Sequence, residues 1–343
     1  MTPQPFAPPL DVAGLAARLV AIPSISNDEG DVVAFLESLL TERAWRTTRI
    51  PVTPGRDALL ATWTDAAPVT LSTHLDTVPP FIPPTRRDGR LHGRGACDAK
   101  GIAAAMVCAA ERLRERGVAV ALLFVVGEEV THDGAHAADG WAKAHGFRSR
   151  ALVNGEPTES TLALGTKGAI RVVVRTKGVA AHSAYPHLGH SATRDLVNLL
   201  AEIDALPLPE DELLGATTVN IGALSGGVAD NVLAPAAEAR LMIRLVTPPE
   251  EIVRLVERWV GDRATLDWGA VVPPVRLGVL PGLPTSVAAF ATDIPALPSW
   301  GTPYLFGPGS IHVAHTADEW IDLEELEAAV ATYERIVSGI SNG

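Results

Sequence analysis

From residue 11 to about 163, apolar and polar positions alternate between two rhythms. Helical segments read at 11–21, 29–44, 100–116 and 134–145, and short β-rich runs lie at 69–73, 118–126 and 150–154. This alternation predicts an α/β layer on a mainly parallel sheet with helices on both faces. The rhythm changes after Gly165. A strand at 169–176, a helix at 191–203, strands at 217–221 and 236–246 and a helix from about 249 describe a single-sheet α+β layer, ferredoxin-like in type. The expected plan is a first domain made of residues 1–165 and 278–343, with an inserted domain at 166–277 and a helix at 323–337 capping the returning segment. No internal repeat or low-complexity tract appears, only proline-rich turns such as 78–84.

Each β-rich run of the first domain ends near an acid or a histidine, which is where ligands gather in such sheets. Ser72-Thr73-His74-Leu75-Asp76-Thr77-Val78 carries an imidazole and, two positions on, a carboxylate on the same strand face, placed to take the second ring N–H. Glu128 and Glu129 follow the apolar run 118–126. Adjacent carboxylates there repel unless something cationic is present, and their diverging side chains leave one for metal and one for substrate. Glu156, after Val153-Asn154-Gly155, repeats the carboxylate at a strand end.

Asp98 lies just before the alanine-rich segment 99–110 and reads as a helix cap or as a carboxylate bridging two cations, roles that are compatible. Glycines 93, 95 and 101 hint at a nucleotide loop, but the preceding 84–90 is polar and strand-poor, the wrong context for a dinucleotide fingerprint. His315 follows Gly307-Pro308-Gly309 and precedes Asp318-Glu319, and His312 competes with it. Jointly, His74, Asp98, Glu129, Glu156 and His315 supply a mixed nitrogen and oxygen set suited to two divalent ions per chain, zinc in the first place and cobalt in the second.

Composition narrows the partners. A net charge of −12 without a lysine or arginine run disfavours nucleic acid. The 343 residues, 47% of them apolar, suffice for one large core and a smaller one. Cys97 and Cys108 are the only cysteines, so a disulfide framework is not expected and a cytoplasmic setting fits. The first nine residues lack a basic and apolar leader pattern, and no stretch reaches the roughly 18 apolar residues of a membrane span. A soluble, non-exported protein is expected.

The motifs His74-Leu75-Asp76-Thr77-Val78, Gly93-Arg94-Gly95-Ala96-Cys97-Asp98-Ala99-Lys100-Gly101, Gly127-Glu128-Glu129, Gly155-Glu156-Pro157-Thr158 and Ala314-His315-Thr316-Ala317-Asp318-Glu319, in this order, resemble the di-zinc aminoacylase and carboxypeptidase family that includes acetylornithine deacetylase and succinyl-diaminopimelate desuccinylase. The resemblance runs from Ile22 to Glu319 and implies a zinc-peptidase-like catalytic domain with an inserted lid that dimerises. It implies that His74 and Glu156 hold one zinc, Glu129 and His315 the other, and that Asp98 bridges them. Asp76 would orient His74, and Glu128 would be the general base that lets a zinc-bound hydroxide attack the substrate amide. In the lid, His182 would reach a partner subunit's site to stabilise the oxyanion, with His187 and His190 crowding the same loop. Asn231 and Arg244 would bind substrate, Arg244 as a carboxylate clamp, with Lys167 as a second contact to an anionic group. Alanine after the bridging aspartate and the thiol of Cys97 before it depart from common relatives; Cys97 reads as a small packed group.

The expected activity is hydrolysis of the amide bond of a small N-acyl amino acid, most like acetylornithine deacetylase. The alternatives are a dipeptidase or carboxypeptidase, a succinyl-diaminopimelate desuccinylase, or release of an amino acid from a carrier protein. A non-catalytic metal-binding scaffold would be marked by loss of Glu128 or of a ligand, and none is lost.

Overall fold

The computed structural model describes residues 8–342. Residues 1–7, part of the segment behind the expectation of a non-exported protein, lie outside the described residues. The chain forms two compact units: one takes residues up to Leu164, Leu277–Ser286 and Thr292 onward, the other Gly165–Arg276 and Val287–Ala291.

The first unit is built on a six-stranded sheet in the order Arg46–Thr53, Arg56–Thr62, Ala121–Val125, Val69–His74, Ala151–Asn154, Thr302–Leu305. The last four strands run parallel, and the first two form an antiparallel hairpin added at one edge. Every side chain of Ala121–Val125 is buried, and alternate positions serve opposite faces. Leu122 and Phe124 join the core with helices Val12–Val20, Gly30–Glu42, Lys100–Glu115 and Leu323–Asn342, whereas Leu123 and Val125 pack with helix Asp133–His145. Full burial of each such leucine or phenylalanine contributes about 1.5–3 kcal/mol. Lys100–Glu115 is alanine-rich and almost wholly buried, and its small side chains let it nest between the first and last helices.

The four helices expected before residue 150 are present at nearly the expected limits, and the one expected at 323–337 runs Leu323–Asn342. The edge hairpin and Thr302–Leu305 were not expected. Arg46–Thr53 is mostly polar and half-exposed, with Pro51 in it, and Thr302–Leu305 has only four residues, so neither carries a strong β pattern.

The second unit carries a four-stranded antiparallel sheet in the order Thr218–Gly226, Ala236–Leu245, Gly168–Lys177, Thr265–Val272. Period-two alternation is clear in Gly168–Lys177, where Ile170, Val172 and Val174 are buried and Arg171 and Arg175 exposed. The buried set packs on helices Ala192–Leu200 and Pro249–Val260. Strand, helix, two strands, helix, strand is the ferredoxin-like order. The final strand was not anticipated, because Gly269 and a register shift between Trp268 and Val271 interrupt its alternation. Among the described residues, no helix is long and apolar enough to cross a membrane.

Candidate metal centre

The parallel strands of the first unit bring their carboxyl ends to one edge, and the loops that follow carry the candidate ligands. His74 closes its strand, Glu128 and Glu129 follow Ala121–Val125, Glu156 follows Ala151–Asn154, and His315 lies in the loop after Thr302–Leu305. Asp98 stands just before helix Lys100–Glu115, in whose N-cap position Ala99 makes no side-chain bond. The Asp98 carboxylate therefore does not cap that helix. Its Oδ1 is 3.0 Å from His74 Nε2, and its Oδ2 is 3.3 Å from His315 Nε2.

Two ligand clusters share this carboxylate. His74, Asp98 and Glu156 form one, Asp98, Glu129 and His315 the other, each offering ligand atoms within 4.8 Å of one another. His315 Nε2 is 2.8 Å from Glu129 Oε1, and His74 Nε2 is 3.8 Å from Glu156 Oε2. Of the two competing histidines, His315 enters a cluster and His312 enters neither among the described residues. His315 sits at φ 64°, a left-handed conformation that an ordinary loop residue seldom adopts.

Asp76 acts somewhat differently from the expectation. The His74 Nδ1–H donates to the Asp76 backbone carbonyl at 3.0 Å, while the Asp76 carboxylate stands 3.5 Å away. That carboxylate accepts the Glu128 and Glu129 backbone N–H groups at 3.0 and 3.2 Å and the Ser26 hydroxyl at 2.8 Å. One residue thus orients the imidazole through its main chain and fixes both glutamates through its side chain. Gly127 lets the loop turn at φ 75°, where a Cβ would collide with the side chains of Asp133 and Arg56.

Glu319 organises the Asp98 turn. Its Oε1 accepts the backbone N–H groups of Gly95, Cys97 and Asp98 at 2.9, 3.1 and 3.1 Å, and its Oε2 accepts from Arg94 at 2.5 Å. This buried pair was not singled out in the sequence, where Arg94 and Glu319 stood only as members of the Asp98 and His315 motifs. Adjacency to the Asp98 and His315 motifs was the one available signal. Cys97 is buried and its Sγ lies 3.5 Å from the Ser310 carbonyl; burial and the nearby carboxylates push the thiol well above its ordinary range, in keeping with a packing role.

The electrostatics show a cluster with too many acids for its burial. Burial, followed by Glu156 and other neighbouring carboxylates, holds Glu128 well above the carboxylate range. Glu156 is raised mainly by burial, and its Oε1 is a buried acceptor with no hydrogen-bond partner among the described residues. Burial opposes protonation of His74, but Glu156, Asp76 and Asp98 outweigh it and hold the ring well above its ordinary value. Hydrogen bonds to Asp98 and Glu129 raise His315 to about 10. An orphaned buried oxygen, crowded carboxylates and a mixed histidine and carboxylate donor set together fit a pair of divalent ions.

Residues 70–339 match the family described as Peptidase family M20/M25/M40, well over half of the chain. The chain belongs to the M20/M25/M40 peptidases. It is 35% identical over 370 residues to a "Probable carboxypeptidase" of Paracoccidioides lutzii, covering 94% of this chain and 84% of that relative. In structure this M20 peptidase is similar to a tripeptidase from Staphylococcus aureus (TM-score 0.79, 18% identity, 97% of this chain and 98% of that one). It is also similar to a dinuclear metal binding peptidase of the M20 family from Bacillus subtilis (TM-score 0.70, 16% identity, 95% and 96% covered). At these identities the two structures establish a shared fold. Membership of the family makes the chain a hydrolase of carbon–nitrogen bonds.

The remaining candidates lie in the second unit of this M20 peptidase. His182 is exposed, its Nδ1 accepts the Ala184 N–H at 3.1 Å, and it forms an isolated bridge with Val232. Asn231 lies beside it, its carbonyl accepting the Ser183 N–H at 2.9 Å. Of the competing imidazoles, His190 pairs with Asp195 and His187 meets the Tyr185 ring edge-on. Arg244 stands on strand Ala236–Leu245 opposite Thr218 and Ala169, and the Lys167 ammonium donates to the Ala216 carbonyl at 2.6 Å.

Proposed function

We propose that this M20 peptidase cleaves the amide bond of a short peptide or N-acyl amino acid that ends in a free carboxylate. The carrying observation is Asp98, whose two oxygens face two histidines in two ligand clusters. His74 and Glu156 would hold one ion, Glu129 and His315 the other, with Asp98 between them; zinc suits this donor set and cobalt would substitute. When bound, such ions raise the acidity of a water and withdraw electron density from the scissile carbonyl.

Glu128 is the general base in this reading. Its side chain is only 11% exposed and is not shared with either ligand cluster, so it is available to take a proton from the attacking water. The water oxygen joins the carbonyl carbon, the carbon–nitrogen bond breaks, and Glu128 returns the proton to the leaving amine. Arg244 would clamp the substrate carboxylate, with Asn231 and Lys167 as further polar contacts. His182 of a partner subunit would donate to the developing oxyanion, and the second unit would then be a dimer contact.

A C-terminal peptide bond is favoured over an acetyl group by the relative named a probable carboxypeptidase at 35% identity. The deacetylase reading, acetylornithine above all, uses the same centre and remains the second one. A panel of dipeptides, tripeptides, N-acetyl amino acids including acetylornithine, and succinyl-diaminopimelate, assayed with and without chelator, separates them. Chelator-sensitive cleavage of free-carboxylate peptides is the expected result. Turnover of the acyl compounds alone would replace the first reading by the second, and no turnover anywhere after zinc or cobalt addition would remove both. A cytoplasmic location belongs to the same proposal and is tested by fractionating cells.

A further inference from the structure

The loop that carries Glu128 ends on a histidine that the chemistry above does not use. His132 closes the turn before helix Asp133–His145, its backbone N–H donating to the Gly127 carbonyl at 2.8 Å. It holds φ 55°, a left-handed conformation that costs free energy for a residue with a side chain and persists where its surroundings over-determine it. Those surroundings are specific. Its Nδ1 lies 2.8 Å from Oδ1 of Asp293, a carboxylate only 1% exposed, and 4.0 Å from Oε1 of Glu128. The next residue, Asp133, is tied at 2.7 Å to Arg56, which is bound on its other side to buried Glu29. Both flanks of His132 are therefore fixed, and its ring nitrogen is left between two acids.

We propose that His132, its Nδ1 held by Asp293 at 2.8 Å, is a positioning residue for the general base: the fixed ring stands 4.0 Å from Glu128 Oε1 and limits the orientations that the Glu128 carboxylate takes during turnover. The geometry links three features: a left-handed histidine, a buried aspartate far away in the sequence whose carboxylate bonds this ring, and a glutamate whose side chain has no hydrogen bond given among the described residues. A carboxylate that must collect a proton from water and deliver it to an amine loses efficiency when its oxygens swing between rotamers. The fixed ring restricts that freedom without donating a ligand to either metal cluster.

This inference rests on Glu128 being the general base, and the test separates the two. Glu128→Gln, His132→Ala, His132→Asn and Asp293→Asn are assayed for kcat, KM and metal content on the best substrate of the panel. His132→Ala is expected to lower kcat about 10–100-fold, the range for removing a hydrogen-bonded supporting residue. KM and metal content should stay near wild type. His132→Asn should recover most of that loss, because its amide NH2 can keep the bond to Asp293 and asparagine tolerates positive φ. Asp293→Asn should fall between the two. A His132→Ala enzyme with kcat within about two-fold of wild type, a loss carried by KM or metal content, or an Asn variant as slow as Ala would each overturn the positioning role. Residual activity in Glu128→Gln would instead overturn the assignment of the base.

Discussion

Glu156 shows at a single residue why the centre calls for cations: a carboxylate is buried with one oxygen unpartnered and a histidine and three acids nearby. Asp98 is the residue on which both clusters depend, so Asp98→Ala is expected to leave well under two ions per chain while the fold persists. Metal analysis on the purified variant checks this, and two retained ions would refute the shared carboxylate. Glu128→Gln should reduce kcat by about 100-fold or more, the lower bound for losing a general base, with metal content unchanged. A variant that retains its rate would take the proton-transfer role from Glu128. The metal-cluster residues were readable in the sequence because each stands in a short motif at a strand end. Glu319, His132 and Asp293 were not, because their partners lie 221 and 161 residues away and no local pattern announces the contact.

At the scale of elements, the loop carrying the glutamates is held by an ion-pair clamp. Arg56 binds Glu29 at 2.8 Å and Asp133 at 2.7 Å, and Glu29 is fully buried. Arg56→Met leaves that charge uncompensated and should cost about 3–5 kcal/mol in urea unfolding. A change under about 1 kcal/mol would show the clamp to be dispensable. Burial raises Asp133, but its bonds to Arg56 and Thr131 outweigh this and hold it below 3.8. Its contribution is therefore complete above that unfolded value and is lost as pH falls through the lower folded one. Wild type should lose this increment at acid pH and Asp133→Asn should not; parallel curves for the two would contradict the assignment. The helices of the first unit were legible because their apolar periodicity is long. The edge hairpin and the strands Thr302–Leu305 and Thr265–Val272 were not, since edge exposure, proline and a register shift each blur a two-residue rhythm.

For the whole molecule, the proposed role of His182 requires a second chain. Sedimentation should show a dimer, and His182→Ala should lower kcat about 100-fold if its donor serves the oxyanion. A fully active monomer would remove that role while leaving the metal chemistry intact. The most direct test of the central claim is anomalous scattering from crystals of the zinc-loaded protein. The expected result is two peaks, one within bonding distance of His74, Asp98 and Glu156 and the other of Asp98, Glu129 and His315. A single peak, or peaks that do not share Asp98, would contradict it.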